Sequence, residues 1–276
     1  MTTVSALIMA SNEEQMLVGC LALLDWADEA VVLVDERSGD RTVEIATELG
    51  AAVYVEAWRG FAGQRDRLAE PASGEWLFYV DADARVTTSL AQEIRAEIES
   101  SSCSAYSLAR QNIFLGRAMR AGGWWPDGQL RLIRKADFGG WQGLIHEVPL
   151  VTGSVGELTS PIVHLGHRDL TSMLVKTAKW SRLEGERRAH GPYGPVTRIT
   201  LLRAVQREVQ HRLLRKAGWR DGIEGWIEVL YQAFSSFLTI AQAWEIQRTE
   251  PLEETYRRLD AHIQAGGSVF DFPAKP

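Results

Sequence analysis

One segment constrains the fold of this chain more than any other: an apolar and aromatic run leads directly into two aspartates, as WLFYVDAD over residues 76–83. A continuous apolar run of this kind is typical of a strand that is buried on both faces of a mostly parallel sheet. Open α/β sheets bind ligands at the carboxyl ends of such strands, where Asp81 and Asp83 would lie. Carboxylates suit a Mg²⁺ or Mn²⁺ ion that holds a phosphate, so the segment indicates a metal site; an acidic turn without a ligand is the alternative.

Strands and helices alternate ahead of this segment. We predict strands at residues 4–9, 30–34 and 53–55. Each is followed by a predicted helix, at about 16–24, 43–49 and 60–68. This alternation predicts right-handed crossovers and a parallel sheet. Polar residues follow the first two strands, so they would share one sheet edge with the aspartates; they are Asn12, Glu13 and Asp35. Glu13 and Glu14 also suit the start of the first helix, where Ser11 and Glu14 fit a capping box.

Two loops rich in glycine and aromatic residues come after the aspartates. They read GGWWPDG over residues 122–128 and GWQGLIHE over residues 140–147, the second ending in His146 and Glu147. His164 follows a short predicted strand at residues 162–163, and a helix is predicted at about 170–189. The sequence HGPYGP at 190–195 is typical of a linker. We therefore predict a catalytic domain over residues 1–190 and a helical region over residues 191–276.

The helical region combines a basic segment with an aromatic helix. Arg198 to Lys216 carries six cations around an apolar stripe, with Glu208 the opposing acid. This pattern fits binding to an anionic membrane surface and equally fits a helix packed on its own domain. The helix predicted at 223–247 is too polar to span a bilayer and could lie at an interface, form a homodimer or belong to the core.

Composition excludes several classes of function. The net charge of −6 gives no reason to expect nucleic acid as a partner. The two cysteines, Cys20 and Cys103, cannot build a disulfide framework, so a reducing cytoplasm is expected. The first residues lack the pattern of a signal peptide, and no run of 18 apolar residues suggests a transmembrane helix. We expect a cytoplasmic protein, with peripheral attachment to the inner membrane as an open alternative.

Taken in order, these residues resemble the inverting family 2 glycosyltransferases of the GT-A fold, and more narrowly the group that includes lipopolysaccharide-core β-1,4-glucosyltransferases. The resemblance covers nearly the whole chain. It rests on the segments ASNEE (10–14), WADE (26–29), SGDRT (38–42), GEW (74–76), DAD (81–83), RLIR (131–134), IHE (145–147) and WRDG (219–222), together with Asp35 and His164. It implies a Rossmann-like α/β domain, with a mostly parallel central sheet and flanking helices, plus a C-terminal helical extension.

The resemblance also implies roles for individual residues. Asp83 would bind the metal directly, and Asp81 would contact the ribose or support the metal. Asn12, Glu13 and Asp35 would hold the nucleoside. The remaining candidates are Arg65 for base or phosphate, His164 for metal or diphosphate, Glu147 as the base, and His146 to orient or replace it.

Each of these roles has a plainer alternative. Arg65 could be a solvated helix charge, His164 a hydrogen-bonded histidine at a strand end, and Glu147 a residue that holds its loop. Two departures from the family pattern also matter. Glu36, Arg37 and Arg41 replace small residues, which bears on nucleotide preference, and Ala84 stands where a third acid is common.

The function implied is metal-dependent sugar transfer from a nucleotide-sugar donor, with UDP-sugar as the default. The acceptor would be a glycan or glycolipid of cell-envelope polysaccharide or lipopolysaccharide. A nucleotidyltransferase is one alternative, although the first loop lacks the glycines of a phosphate-binding loop. A non-catalytic nucleotide-sugar-binding or scaffold protein is another, because fold alone does not fix function.

Overall fold

The structure is a computed structural model that describes residues 1–143 and 147–272. The chain divides into two compact units, Met1–Arg168 and Asp169–Pro276. The first unit contains a large sheet with helices, and the second is helical. This division falls before the helix at Leu170–His190, whereas our domain prediction places the boundary after it; that boundary stays a prediction.

The first unit alternates strands and helices as predicted as far as Asp81. Its helices are α1 (Glu14–Leu21), α2 (Thr42–Glu48), α3 (Gly60–Ala69) and α4 (Thr88–Ser100). Its strands are β1 (Val4–Ala10), β2 (Glu29–Asp35), β3 (Ala52–Glu56), β4 (Trp76–Asp81), β5 (Ala84–Arg85), β6 (Ala105–Phe114), β7 (Arg117–Ala118), β8 (Gly128–Arg134), β9 (Phe138–Gln142), β10 (Val148–Val151) and β11 (Val155–His167). The region predicted as the second glycine-rich loop therefore includes part of a strand, because β9 pairs with β10.

Within the described residues, nine strands form one sheet in the order β3-β2-β1-β4-β8-β6-β11-β5, with β7 paired to β6. The first four strands in this order are parallel. Beyond them, β8 runs antiparallel to both β4 and β6, while β11 is parallel to β6. The predicted α/β fold class is confirmed, with a parallel half followed by a mixed half.

The core explains why the aspartates lie at the sheet edge. Alternate side chains of β1 and β4 point into two hydrophobic clusters, one on each face of the sheet. In β4, Trp76, Phe78 and Val80 belong to one cluster, and Leu77 and Tyr79 belong to the other. Because both faces are covered, the apolar run is continuous, and the first polar residue marks the carboxyl end of the strand.

The second unit contains four helices among its described residues: α5 (Leu170–His190), α6 (Arg198–Val209), α7 (Gly222–Ile246) and α8 (Leu252–Gln264). Helix α7 packs against α5 and α6. A π-helical turn at Gln210–Arg215 and a 3₁₀ turn at Gly218–Asp221 connect α6 to α7. In the described part of the chain, no helix has both the length and the apolarity needed to cross a membrane.

Candidate active site

Asp81 is the last residue of β4, and two arginines hold its carboxylate. Nη2 of Arg131 donates to Oδ2 at 2.7 Å, while Nη1 of Arg131 and Nη2 of Arg65 approach Oδ1 at 3.2 and 3.3 Å. Burial alone would raise the pKa of Asp81, but the two guanidinium groups outweigh it and hold that pKa well below its usual range. Asp81 is therefore a fixed anion at neutral pH, largely engaged by cations.

Asp83 lies beside His164 because strand β5 pairs with β11. His164 is opposite Ala84 in that pairing, and the amide of Leu165 donates to the carbonyl of Asp83 at 2.9 Å. Nε2 of His164 is 3.4 Å from Oδ1 of Asp83. The sequence separation of these two residues is large, so the sheet is what brings them together.

Asn112 and Asp127 fix the orientation of the His164 ring. Nδ2 of Asn112 donates to Oδ2 of Asp127 at 3.0 Å and to the carbonyl of Trp124 at 3.3 Å, so its Oδ1 faces Nδ1 of His164 at 2.8 Å. That oxygen can only accept, so Nδ1 of His164 carries a proton and Nε2 is the ring atom that faces Asp83.

Asp127 is itself held as an anion. Nε and Nη2 of Arg110 approach its Oδ2 at 2.8 and 2.7 Å. Burial would raise the pKa of Asp127, but the amide of Asn112 and the guanidinium of Arg110 outweigh burial and lower it. Arg110, Asp127, Asn112 and His164 thus form a continuous series of hydrogen-bonded side chains.

Asp81, Asp83 and His164 each offer one ligand atom, and these atoms lie within 4.8 Å of one another. Two carboxylates and an imidazole nitrogen fit Mn²⁺ or Mg²⁺. Asp81, which Arg65 and Arg131 contact, would share such an ion with Asp83 and His164. The predicted metal residues therefore meet at one place.

The predicted nucleoside residues lie in two loops that hold each other. The amide of Asn12 donates to Ser38 at 3.2 Å, and Oδ1 of Asn12 accepts from the amide of Gly39 at 2.9 Å. The amide of Glu13 donates to Thr42 at 2.8 Å. Asn12 adopts a left-handed backbone with φ of 55°, which asparagine tolerates better than most residues.

Glu14 does not form the predicted capping box with Ser11. Its amide donates to Oδ2 of Asp40 at 3.0 Å, and its carboxylate accepts from the amide of Arg41 at 3.2 Å. The side chain that we expected to close the first helix therefore closes the second loop instead. Local spacing could not reveal this, because the partner is 27 residues away.

Asp35 ends β2 and is buried. Its Oδ1 accepts from the amide and from Nε of Arg37, at 3.0 and 2.9 Å. Arg37 is one of the residues that depart from the family pattern, and the structure places it directly on the carboxylate predicted to hold the nucleoside.

Arg65 lies between the metal site and Glu147. It is buried, its Nε donates to Oε1 of Glu147 at 3.0 Å, and its guanidinium stacks on the ring of Trp141 at 4.8 Å. The alternative of a solvated helix charge is therefore wrong for Arg65. Glu147, the predicted base, is joined through Arg65 to Asp81. His146 lies outside the described residues.

Sequence reasoning missed Asn112, Asp127 and Arg131 as site residues. Arg131 stood in a recognised segment without a role, and Asn112 lay in a strand with no local signal. Both reach the site through antiparallel pairing of β8 and β6, which the sequence does not specify locally.

Comparisons with known proteins match about half of the chain to one family model and most of the chain to one relative. The family model "Glycosyl transferase family 2" matches residues 5–148. Lipopolysaccharide core biosynthesis glycosyltransferase LpsC of Rhizobium meliloti (strain 1021) is 30% identical over 258 residues, which cover 87% of this chain and 92% of that protein. Uncharacterized glycosyltransferase RT0209 of Rickettsia typhi (strain ATCC VR-144 / Wilmington) is 34% identical over 99 residues, or 36% of this chain and 32% of the relative.

Among solved structures, S. aureus TarS 1-349 in complex with UDP-GlcNAc matches 93% of this chain and 92% of that chain. Its sequence identity is 14% and its TM-score is 0.43.

Proposed function

This chain belongs to glycosyl transferase family 2, and from that premise we propose that it transfers a sugar from a UDP-sugar to a glycan or glycolipid acceptor of the lipopolysaccharide core. The observation that carries the proposal is the junction of two groups at one sheet edge. Asp81, Asp83 and His164 can hold a metal–diphosphate. Arg65 contacts both Asp81 and Glu147, so it links Glu147 to this group. The acceptor class is suggested by the name of the Rhizobium meliloti relative.

The donor side follows from charge. A bound Mn²⁺ or Mg²⁺ would act as a Lewis acid that stabilises the negative charge developing on the leaving diphosphate. Asp81, Asp83 and His164 would hold that ion, and Asp81 would also keep Arg65 and Arg131 in place beside it. The loops that contain Asn12, Glu13 and Asp35 would bind the nucleoside.

The acceptor side requires a base. In an inverting transfer, the acceptor oxygen attacks the anomeric carbon from the face opposite the diphosphate, and the bond to the diphosphate breaks. The acceptor hydroxyl proton passes to a carboxylate, for which Glu147 is the candidate. Arg65 would orient Glu147 through the hydrogen bond from Nε to Oε1.

The test is release of nucleoside diphosphate from a panel of nucleotide sugars, with a deacylated lipopolysaccharide core as acceptor and with Mn²⁺ or a chelator present. We expect metal-dependent release of UDP from one UDP-sugar, and a product of inverted anomeric configuration by NMR. Pyrophosphate formation from a nucleoside triphosphate and a sugar phosphate would instead identify a nucleotidyltransferase. Donor binding without any turnover would favour the non-catalytic alternative.

A further inference from the structure

The helical unit presents exposed apolar side chains where the 3₁₀ turn leads into α7, as it also does on α5, on α6 and farther along α7. Five residues are each between 45% and 67% exposed, and we call them together the 214–230 surface: Leu214, Trp219, Ile223, Trp226 and Leu230. Two of the five are tryptophans. Large exposed apolar patches on a folded protein generally mark a binding surface.

The backbone presents these side chains on a firm base. Trp219, Ile223, Trp226 and Leu230 are spaced so that they follow one face of the turn and the helix. Beneath them, a Cβ at Gly225 would collide with the carbonyl oxygen of Gly218, so the turn packs tightly against the first turn of α7. This close packing holds the backbone of the 214–230 surface in a defined conformation.

In the same segment, the basic side chains are more exposed than the acidic ones. Arg215, Lys216 and Arg220 are exposed, whereas Asp221 and Glu228 are buried and the third acid of the segment, Glu224, is half-buried. The exposed part of the segment therefore consists mainly of apolar and aromatic side chains with basic side chains beside them. This combination is complementary to an interface that is apolar inside and anionic at its surface.

The charge of the whole unit agrees with this local pattern. Residues 169–276 carry 16 lysines and arginines against 13 aspartates and glutamates, a net charge of +3. Because the chain as a whole has a net charge of −6, residues 1–168 carry −9. An anionic surface would therefore attract the helical unit and repel the catalytic one.

The basic segment predicted from sequence, residues 198–216, overlaps the 214–230 surface at its end, through Leu214, Arg215 and Lys216. In α6, Ala204 is buried while Ile199 and Leu202 are exposed. Arg212 turns to acidic partners, with Nε at 3.1 Å from Glu208 and Nη1 at 3.3 Å from the buried Glu228.

We propose that the 214–230 surface docks the protein on an anionic phospholipid membrane. Trp219, Ile223 and Trp226 enter the headgroup region, and Arg215, Lys216 and Arg220 contact lipid phosphates. The helix lies on the membrane without crossing it, as an amphipathic interfacial element does. Docking is independent of the sugar transfer, so it can be measured with neither donor nor acceptor present.

The test is co-sedimentation of the full chain with vesicles of phosphatidylcholine alone or mixed with phosphatidylglycerol. We expect binding to the mixed vesicles that weakens as salt is raised. The double variant R215E/K216E should bind at least about tenfold more weakly, and W219S/I223S should lose binding at any lipid composition. Since all four side chains are exposed, circular dichroism and thermal midpoint should not change.

The matched control is R203E/R207E, which makes the same charge change on exposed residues of α6. It should retain most of the binding. An equal loss in the control would assign binding to general basic charge and overturn the proposal, as would no binding by the wild-type protein. A wild-type dimer that W219S/I223S converts to a monomer, with vesicle binding unchanged, would assign the surface to a second copy of the chain instead.

Discussion

Nε of Arg65 donates a hydrogen bond to Oε1 of Glu147 across 3.0 Å, and the same guanidinium reaches Asp81 at 3.3 Å. One buried cation, Arg65, thus contacts both the candidate base Glu147 and Asp81. Only a planar, forked group can satisfy both carboxylates at once, because its donors point in fixed and different directions. The first prediction follows from that geometry.

Arg65→Lys should lower kcat/KM by about 100-fold, because a single ammonium cannot hold Glu147 and Asp81 together and the base loses its position. Steady-state kinetics with the natural acceptor measure this. Arg67→Lys is the control, since Arg67 lies on the same helix and pairs with Glu56 and Glu70 instead. Equal losses in the two variants would contradict a special role for Arg65.

Glu147→Gln should retain donor binding and lose about 10² to 10⁴ of the transfer rate, the usual contribution of a general base. The amide can still accept from Arg65, so the loop keeps its contact. Calorimetry with the donor and single-turnover kinetics separate the two effects. Weakened donor binding with a normal rate of transfer would make Glu147 a binding residue.

Asp83→Asn should abolish high-affinity Mn²⁺ binding while the protein stays folded, because it removes the charge of one of the two carboxylates that meet His164 at the site. Electron paramagnetic resonance of free Mn²⁺ reports the affinity without any turnover. Asp137→Asn, which alters a carboxylate 3.6 Å from Arg134, should bind Mn²⁺ normally. Undiminished binding by the Asp83 variant would exclude this residue as a ligand.

Asn112→Leu should weaken Mn²⁺ binding about 10- to 100-fold, since His164 loses the acceptor that fixes its tautomer. Nitrogen NMR of the imidazole should show the proton on Nδ1 in the wild type and a mixture of tautomers in the variant. Gln111→Leu is the neighbouring control, because its amide donates to Met119 instead. An unchanged His164 spectrum in the Asn112 variant would rule out the orienting role.

Cys20 gives a prediction about pH. Burial raises the pKa of its thiol to about 12, whereas an unfolded cysteine titrates near 8.5. Between these values the native state keeps a proton that the unfolded state has lost, so the free energy of unfolding should fall as pH rises above about 8.5. Urea melts across this range should show a shallower decline for Cys20→Ala than for the wild type.

The parallel half of the sheet could be predicted because its signals are local. Burial on both faces makes β4 a continuous apolar run, and Asp81 ends it visibly in the sequence. The mixed half depends on antiparallel register between distant strands, such as Phe78 with Leu132, and no local pattern encodes that register. Arg131 and Asn112 reach the candidate site through those pairings, which is why sequence reasoning gave them no role, whereas Asp83 and His164 could be named as candidates.

The loops after β1 and β2 satisfy each other's backbone groups, through Asn12 with Gly39 and Glu14 with Arg41. A change in the length of either loop would leave backbone amides of the loops without their hydrogen-bond acceptors. Natural relatives should therefore show insertions in the two loops together rather than in one alone. An attempt to change nucleotide preference by grafting should exchange both loops as a single cassette.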